Sequence, residues 1–395
     1  MSAEALPTLQ HMPAEPVVIT SMRLLNYGPA WFVRARCSEG VVGMVCVTKR
    51  MAYLGPMFDQ RVAAFLIGKD ARNLSELLQN LYLYKTNYKL TGMPFWCCVA
   101  AAELSLLDLL GKRAGRPVTD LVARPGTPVK QFVPVYLSLM NRDLTPEQVV
   151  EKFEPAIAAT GARAVKVKIG GRMSNNADAS PGRTEALIPL LRRRLGDDVA
   201  IFADANGSYT PEYAIEVGRM LQDHGVGFFE EPCPFECLDQ TRHVAENLNI
   251  PVAGGEQDNS LHRWREMIET KCVGIVQPDV FYNGGILRTL HVASLAARAG
   301  LSVALHNPHR DASAGYGLQV AAVIPNGFTH HEWNIEHINE PWSSMKFAVE
   351  GGEVRMPPGP GMGVSFDRLA LHAERARYGV RHARRKVESI LGRRA

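Results

Sequence analysis

Two rhythms of hydrophobic and polar residues divide the chain. Over residues 17–48 apolar and polar positions alternate loosely, with β-branched and aromatic side chains on either side of Ser38-Glu39-Gly40, which predicts an antiparallel hairpin. From Asp59 to about Gly115 the apolar positions recur with helical spacing, ending in the run 99–110 with Gly111 and Pro117 as stop signals. The first ~125 residues therefore form an α+β unit of their own. After Pro125 short β-branched runs alternate with helical segments. The runs are 132–139, 164–169, 199–203, 227–229, 251–253, 274–276, 301–305 and 329–333, separated by amphipathic stretches such as 211–221 and 287–297. Alternation of this kind is the βα repeat of a parallel sheet, and eight repeats predict a closed α/β barrel.

An ionisable residue stands at the end of nearly every run: Lys168, Asp204, Glu230, Glu256, Asp279, His306 and Glu332. Successive members are 23 to 27 residues apart, one βα unit, except for a first interval of 36 that holds the polar insertion 172–183, read as a surface loop. In an eight-fold barrel the C-terminal strand ends converge on one mouth, so these seven groups are expected to face one another.

Composition narrows the class without changing this reading. With 46% hydrophobic and 21% charged residues, disordered and fibrous classes are excluded. The formal net charge of +4 belongs to the tail, where residues 371–395 hold eight Arg or Lys against Glu374 and Glu388, a basic helical tail with no groove-reading motif beside it. No nucleic-acid partner is expected. The first twenty residues lack a basic leader, and no run reaches the ~18 apolar residues of a membrane span, so the expectation is a cytoplasmic protein with no membrane partner. Seven cysteines, an odd number with Cys97 and Cys98 adjacent, point to reduced thiols; Cys233 and Cys237 lack the further ligands of a zinc site.

In Val165-Lys166-Val167-Lys168-Ile169 the period of two sends both lysines to one face. In an edge strand they would meet solvent. In a barrel they are interior, where each should depress the other's pKa and leave neutral amine for base chemistry. Asp204, Glu230 and Glu256 on adjacent strands would repel one another without a cation, and all-oxygen ligation selects Mg²⁺. Asp279 and His306 suit a carboxylate that fixes one imidazole nitrogen and aims the other at substrate. Asn206, pointing as Asp204 does, and Arg310 are candidate substrate contacts, with His309, His330 and His331 near the same mouth. The glycine pairs Gly254-Gly255 and Gly284-Gly285 suggest phosphate cradles, but the first leads straight into Glu256, which disfavours an anion there.

The pattern Lys166-x-Lys168, Asp204, Glu230-Glu231-Pro232, Glu256, Asp279 with His306, and Glu332 resembles the mandelate racemase subgroup of the enolase superfamily. The resemblance implies a modified (β/α)₇β TIM barrel over residues 126–340. An α+β capping domain would be built from 1–125 and completed by the C-terminal segment 341–395. It further implies Mg²⁺ held by Asp204, Glu230 and Glu256, base chemistry by Lys168, acid or base chemistry by the His306–Asp279 pair, Lys166 on the substrate carboxylate and Glu332 assisting the enolate. The capping loops 26–31 and 50–54 would close over the mouth. The expected activity is abstraction of a proton α to a carboxylate through an enediolate, here dehydration of an acid sugar to a 2-keto-3-deoxy acid. Racemisation or epimerisation of a 2-hydroxy acid is the alternative, and a non-catalytic binding barrel the third reading. The expected partners are a small carboxylate substrate and further copies of the chain in a homo-oligomer.

Overall fold

The computed structural model describes residues 5–392, with side chains in the last helix as far as Arg381 and at Ala383. The tail residues Arg384, Arg385, Lys386, Arg393 and Arg394 lie outside the described side chains. At the start of the chain β1 (Ile19–Tyr27), β2 (Ala30–Cys37) and β3 (Val42–Val47) form an antiparallel three-stranded sheet, one strand more than the expected hairpin. The extra reversal occupies only Gly28 and Pro29, with Gly28 at φ +74°, too short a break to interrupt the alternation. Helix α1 (Leu74–Leu83) follows, and then α2 (Met93–Ala114) packs its length against β2 and β3. Although α2 is long and apolar enough to cross a membrane, it is buried inside the protein. It runs past the expected stop at Gly111 and ends at Gly115, whose φ of 65° makes the left-handed cap. Gly111 sits inside the helix because a Cβ there would lie 2.6 Å from the Gly361 Cα.

Each of the eight predicted runs overlaps a strand: β4 (Phe132–Ser138), β5 (Ala164–Lys168), β6 (Ala200–Asp204), β7 (Val226–Glu230), β8 (Val252–Gly254), β9 (Ile275–Val276), β10 (Ser302–Val303) and β11 (His331–Asn334). They pair in parallel and in sequence from β4 to β10, β11 returns to β4, and a bridge from Val303 to Gly327 joins the last two. The intervening helices, α3 (Pro146–Thr160), α4 (Arg183–Leu195), α5 (Pro211–Asp223), α6 (Leu238–Glu246), α7 (Leu261–Glu269), α8 (Ile286–Arg298) and α9 (Ala314–Ala321), cover the outside. In α3 (Pro146–Thr160) Thr145 and Gln148 form a reciprocal capping box and Gly161 closes the C-terminus in the left-handed region.

The period of two explains how the interior is layered. Tyr136, Ala164, Phe202, Phe228, Ala253, Ile275 and Ala304 share a cluster inside the barrel, with Phe202 and Phe228 stacked at 4.1 Å between ring centroids. Two residues further along the same faces come Lys166 and then Lys168 on β5, Asp204 on β6 and Glu230 on β7. An aromatic floor thus closes the barrel beneath an ionisable layer, and by excluding water from below it lowers the dielectric around the charges. The alternate residues Val165, Val167 and Ile169 face the helices. Since β4 and β6 flank β5, the edge-strand reading of the lysines is excluded.

The C-terminal segment divides its contacts. The hairpin of β12 (Val349–Glu350) and β13 (Glu353–Arg355) adds β13 antiparallel to the first three residues of β4, so this part extends the barrel sheet instead of the capping unit. Those residues of β4 precede its pairings with β11 and β5, which begin at Val135 and Leu137, and their backbone groups need a partner. Trp342, Phe366 and Leu371 pack instead with Tyr27 and Phe32 of the first sheet. The final helix, α10 (Arg368–Gly392), begins on that cluster. The loop 26–31, expected over the mouth, meets this helix: a Cβ on Gly28 would stand 2.8 Å from the Tyr378 Cβ, and the Tyr27 and His372 rings are 5.2 Å apart. Aromatic burial against the helix holds the loop there.

Candidate active site

Asp204, Glu230 and Glu256 offer carboxylate oxygens that all lie within 4.8 Å of one another, and all three side chains are buried. Lys166 Nζ donates to both oxygens of Glu230, at 2.9 and 2.8 Å, and pairs with Glu332 Oε1 at 2.9 Å; Asp204 Oδ2 is 3.6 Å away. Lys168 Nζ bonds Asp204 Oδ2 on one flank of the triad. On the other flank His306 Nε2 is 3.3 Å from Glu256 Oε2, while its Nδ1 meets Asp279 Oδ2 at 2.9 Å. Backbone N–H groups of Phe281 and Tyr282 fix Asp279 through its other oxygen. Glu332 accepts from Ser138 Oγ at 2.7 Å and from the Asn307 N–H at 2.7 Å. The seven strand-end groups thus form one connected cluster.

Charge within it is unevenly distributed. Burial raises the pKa of Glu230, and Asp204 and Glu256 raise it further, so it stands well above the usual carboxylate range. For Asp204, burial also pushes upward, but Lys168, Lys166 and Arg142 outweigh it and hold the carboxyl well below that range. Burial alone would lower Lys166; Glu230, Glu332 and Asp204 overcome this and hold its ammonium well above the ordinary lysine value. The expectation that the paired lysines depress one another therefore fails at Lys166, because carboxylates outnumber lysines around it. Lys166 is also wholly buried. Its ammonium lies among Glu230, Glu332 and Asp204. Burial would lower His306 too, yet Glu256 and the hydrogen bond to Asp279 push it up to about 10.

The triad suits a hard divalent cation. Its donors are all oxygens, Glu256 Oε2 is buried with no hydrogen bond although His306 Nε2 stands 3.3 Å away, and beyond the effect of burial Glu230 is raised by Asp204 and Glu256, a repulsion that a cation relieves.

Some candidates lie elsewhere. Arg310 is exposed, its Nε donating to the Glu336 carbonyl at 3.2 Å and Nη1 pairing with Glu336 Oε2 at 3.4 Å; that carboxylate, just beyond β11, draws it to the rim. His331 is structural: its Nδ1 accepts from the Leu305 N–H at 3.3 Å, and burial lowers its pKa to about 3. His309 is nearer, with Nε2 4.0 Å from Asp279 Oδ2. Asn206 is in place, its backbone N–H donating to Asp204 Oδ1 at 2.9 Å and its Nδ2 to Glu231 Oε2 at 3.1 Å. Asn206 and Glu231 have φ of 44° and 40°, left-handed conformations that non-glycine residues adopt at a cost and that concentrate at functional sites.

Three further residues escaped the sequence reading. Arg142, beyond the end of β4, donates through Nη2 to Asn206 Oδ1 at 2.7 Å and through Nε to the Gly170 carbonyl at 3.2 Å. The strand-end rule that found the others also applied to it, a few residues later. Gln277 Nε2 donates to Glu230 Oε2 at 2.8 Å. Arg183, at the end of the supposed surface insertion, is buried and donates to the carbonyls of Leu144 at 2.8 Å and of Lys168 at 3.0 Å, bracing the end of β5. The glycine pair Gly284-Gly285 also finds its reason: Glu103 of α2 accepts from the N–H groups of Ile286 and Leu287 at 2.7 and 2.8 Å, so α8 (Ile286–Arg298) carries the protein's own carboxylate at its N-terminus.

Comparison with known proteins matches this geometry. The sequence profile of the mandelate racemase / muconate lactonizing enzyme N-terminal domain fits residues 5–123, and that of enolase C-terminal domain-like proteins fits residues 148–370. The chain belongs to the mandelate racemase subgroup of the enolase superfamily. Its curated relatives include an arabinonate dehydratase of Saccharolobus solfataricus, 26% identical over 76% of this chain and 78% of that protein. Another is a D-galactonate dehydratase of Ralstonia nicotianae, 27% identical over 91% and 94%. Among solved structures, a candidate racemase from Roseobacter denitrificans is 35% identical, with a TM-score of 0.83 over 90% of this chain and 97% of that one. A mandelate racemase/muconate lactonizing protein from Paracoccus denitrificans, complexed with magnesium, is 25% identical with a TM-score of 0.81 over 90% and 98%.

Proposed function

We propose that this enolase-superfamily enzyme is a Mg²⁺-dependent hydro-lyase that dehydrates an acid sugar to a 2-keto-3-deoxy acid. The observation that carries the reading is the bracketing of the carboxylate triad, by Lys168 on Asp204 and by His306 on Glu256. Two proton-transfer groups on opposite flanks suit a reaction that removes a proton from one carbon and delivers another to a leaving group. Asp204, Glu230 and Glu256 would hold the ion, which when bound supplies positive charge to the substrate carboxylate as its α-proton leaves.

The residues do the rest. Lys168, as free amine, takes the α-proton, and the C–H electron pair becomes the C=C bond of the enediolate. Lys166 adds positive charge from below, in a medium whose low dielectric strengthens it. His306 protonates the β-hydroxyl, which departs as water while the enediolate electrons form the new C=C bond. The resulting enol takes a proton at C3 to give the 2-keto-3-deoxy acid. Asp279 holds His306 Nδ1 so that Nε2 points to the reacting carbons. The dehydratase relatives support this outcome.

A second reading is favoured by the Roseobacter structure, which is more similar in sequence than those relatives. On a substrate without a β-leaving group, His306 returns a proton to the α-carbon and the configuration inverts. Proton NMR of acid sugars incubated with enzyme and Mg²⁺ in D₂O separates the two. A 2-keto-3-deoxy product is expected; α-deuteration with inversion and no keto product makes the enzyme a racemase, and neither product across a broad library rejects both.

A further inference from the structure

Arg142 is a cation at the barrel mouth that the reaction above leaves without a task. It projects from the loop after β4 across the ends of β5 and β6, where it bonds only neutral groups, the Gly170 carbonyl and the Asn206 side-chain oxygen. No carboxylate of the described residues lies within 4.0 Å of it, in contrast to Lys166 and Lys168 beside it. Its third guanidinium nitrogen, Nη1, donates to nothing among the described residues. Arg172, from the insertion after β5, is close enough to add its own positive charge to the field at Arg142. It too has no carboxylate partner among the described residues, and its side chain is exposed. Half-buried and within the field of a second arginine, the Arg142 guanidinium bears a desolvation cost that an anion bound to it would offset. The charges of Asp204 and Glu256 reach Arg142, but among the described residues no carboxylate is in hydrogen-bond or ion-pair contact with it.

We infer that Arg142, assisted by Arg172, binds a second carboxylate at the far end of the substrate, so that the preferred substrate is a dicarboxylic acid sugar, an aldarate. The inference rests on the reading of the triad as the site where the first carboxylate reacts. The planar guanidinium fork matches a carboxylate in two parallel hydrogen bonds, which a sugar hydroxyl cannot reproduce. Asn206 holds the fork: its oxygen occupies Nη2 and its amide is tied back to Glu231, leaving Nη1 as the free donor. The insertion 172–183 thereby gains a purpose, since it carries Arg172 to the rim while Arg183 anchors its other end under Lys168.

The test compares the purified Mg²⁺-loaded enzyme with its Arg142→Gln, Arg142→Lys and Arg172→Gln variants. The substrates are six-carbon aldarates, the corresponding aldonates and phosphorylated aldonates. Turnover and ligand-induced thermal shift are both read. The wild-type enzyme is expected to favour aldarates, and Arg142→Gln to raise the aldarate KM on the order of 30-fold with kcat little changed, from the loss of a charge-assisted hydrogen bond. Aldonate KM should rise far less than aldarate KM, Arg142→Lys should restore part of the loss, and exposed Arg172→Gln should give a smaller shift in the same direction. Equal or better use of aldonates or phosphorylated aldonates by the wild type overturns the inference, as does an equal loss on aldarates and aldonates in Arg142→Gln. If no acid sugar turns over, the reading of the triad fails by itself. The thermal shift then still decides here, since aldarate stabilisation that vanishes in Arg142→Gln supports the second-carboxylate site and its absence in the wild type refutes it.

Discussion

Arg50, from the segment that links the first sheet to the helices, donates two hydrogen bonds to the hydroxyl of Tyr282 in the barrel, at 3.3 Å from Nε and 3.2 Å from Nη2. The Tyr282 ring lies 6.0 Å from that of His306, and its backbone N–H helps to fix Asp279. Of the two capping loops expected over the mouth, 50–54 therefore reaches the neighbourhood of His306 and Asp279 and 26–31 does not. Tyr282→Phe and Arg50→Gln should each raise KM several-fold while circular dichroism stays unchanged. The double variant should cost no more than the worse single one, with a coupling of about 1 kcal/mol. Additive losses in steady-state kinetics would show that the two residues act independently.

The triad predicts a second set of outcomes. Asp204→Asn, Glu230→Gln and Glu256→Gln should each abolish calorimetrically detectable Mg²⁺ binding and turnover. Without metal, Glu230→Gln should hold or raise the melting temperature, because that carboxyl already stands well above its usual range, whereas Asp204→Asn should lower it, because it breaks the buried pairing with Lys168 and Lys166. Full activity after exhaustive chelation would exclude a metal-dependent reaction.

Lys168 and His306 should separate by isotope exchange. Lys168→Ala is expected to cost about 10²- to 10⁴-fold in turnover, the usual weight of a general base, and to stop α-hydrogen exchange with solvent deuterium. His306→Asn should lose dehydration yet retain exchange on the lysine side. Exchange surviving only in the lysine variant would instead assign the first step to His306.

Gly285 tests how the barrel is tied to α2. Its φ is 114°, and a Cβ would lie 2.1 Å from Glu103 Oε2, the carboxylate that caps α8. Gly285→Ala should cost about 2 kcal/mol or more in a urea melt through strain and displacement of a buried carboxylate. Gly300→Ala provides the control. With φ of 72° and open space around it, only the backbone term of about 1 kcal/mol applies.

Sequence alone determined the eight strands and the residues at their ends, because period-two alternation decides which side chains share a face and the βα spacing decides that all strands point the same way. Phe202 then Asp204, and Phe228 then Glu230, already encode a floor and a charged layer above it. Tertiary structure alone decided which charges neutralise which. The high Lys166 pKa comes from Glu230 and Glu332, residues 64 and more positions away in sequence, and no spacing rule weighs burial against such neighbours. The sequence points to Arg310 at the mouth and passes over Arg142 for the same reason. Both follow a strand end, but a carboxylate at Glu336 draws the first to the rim, whereas a carbonyl and an amide oxygen hold the second over the mouth. Partner choice among charged side chains depends on distances of a few ångströms between distant parts of the chain, and only the closed barrel sets those distances.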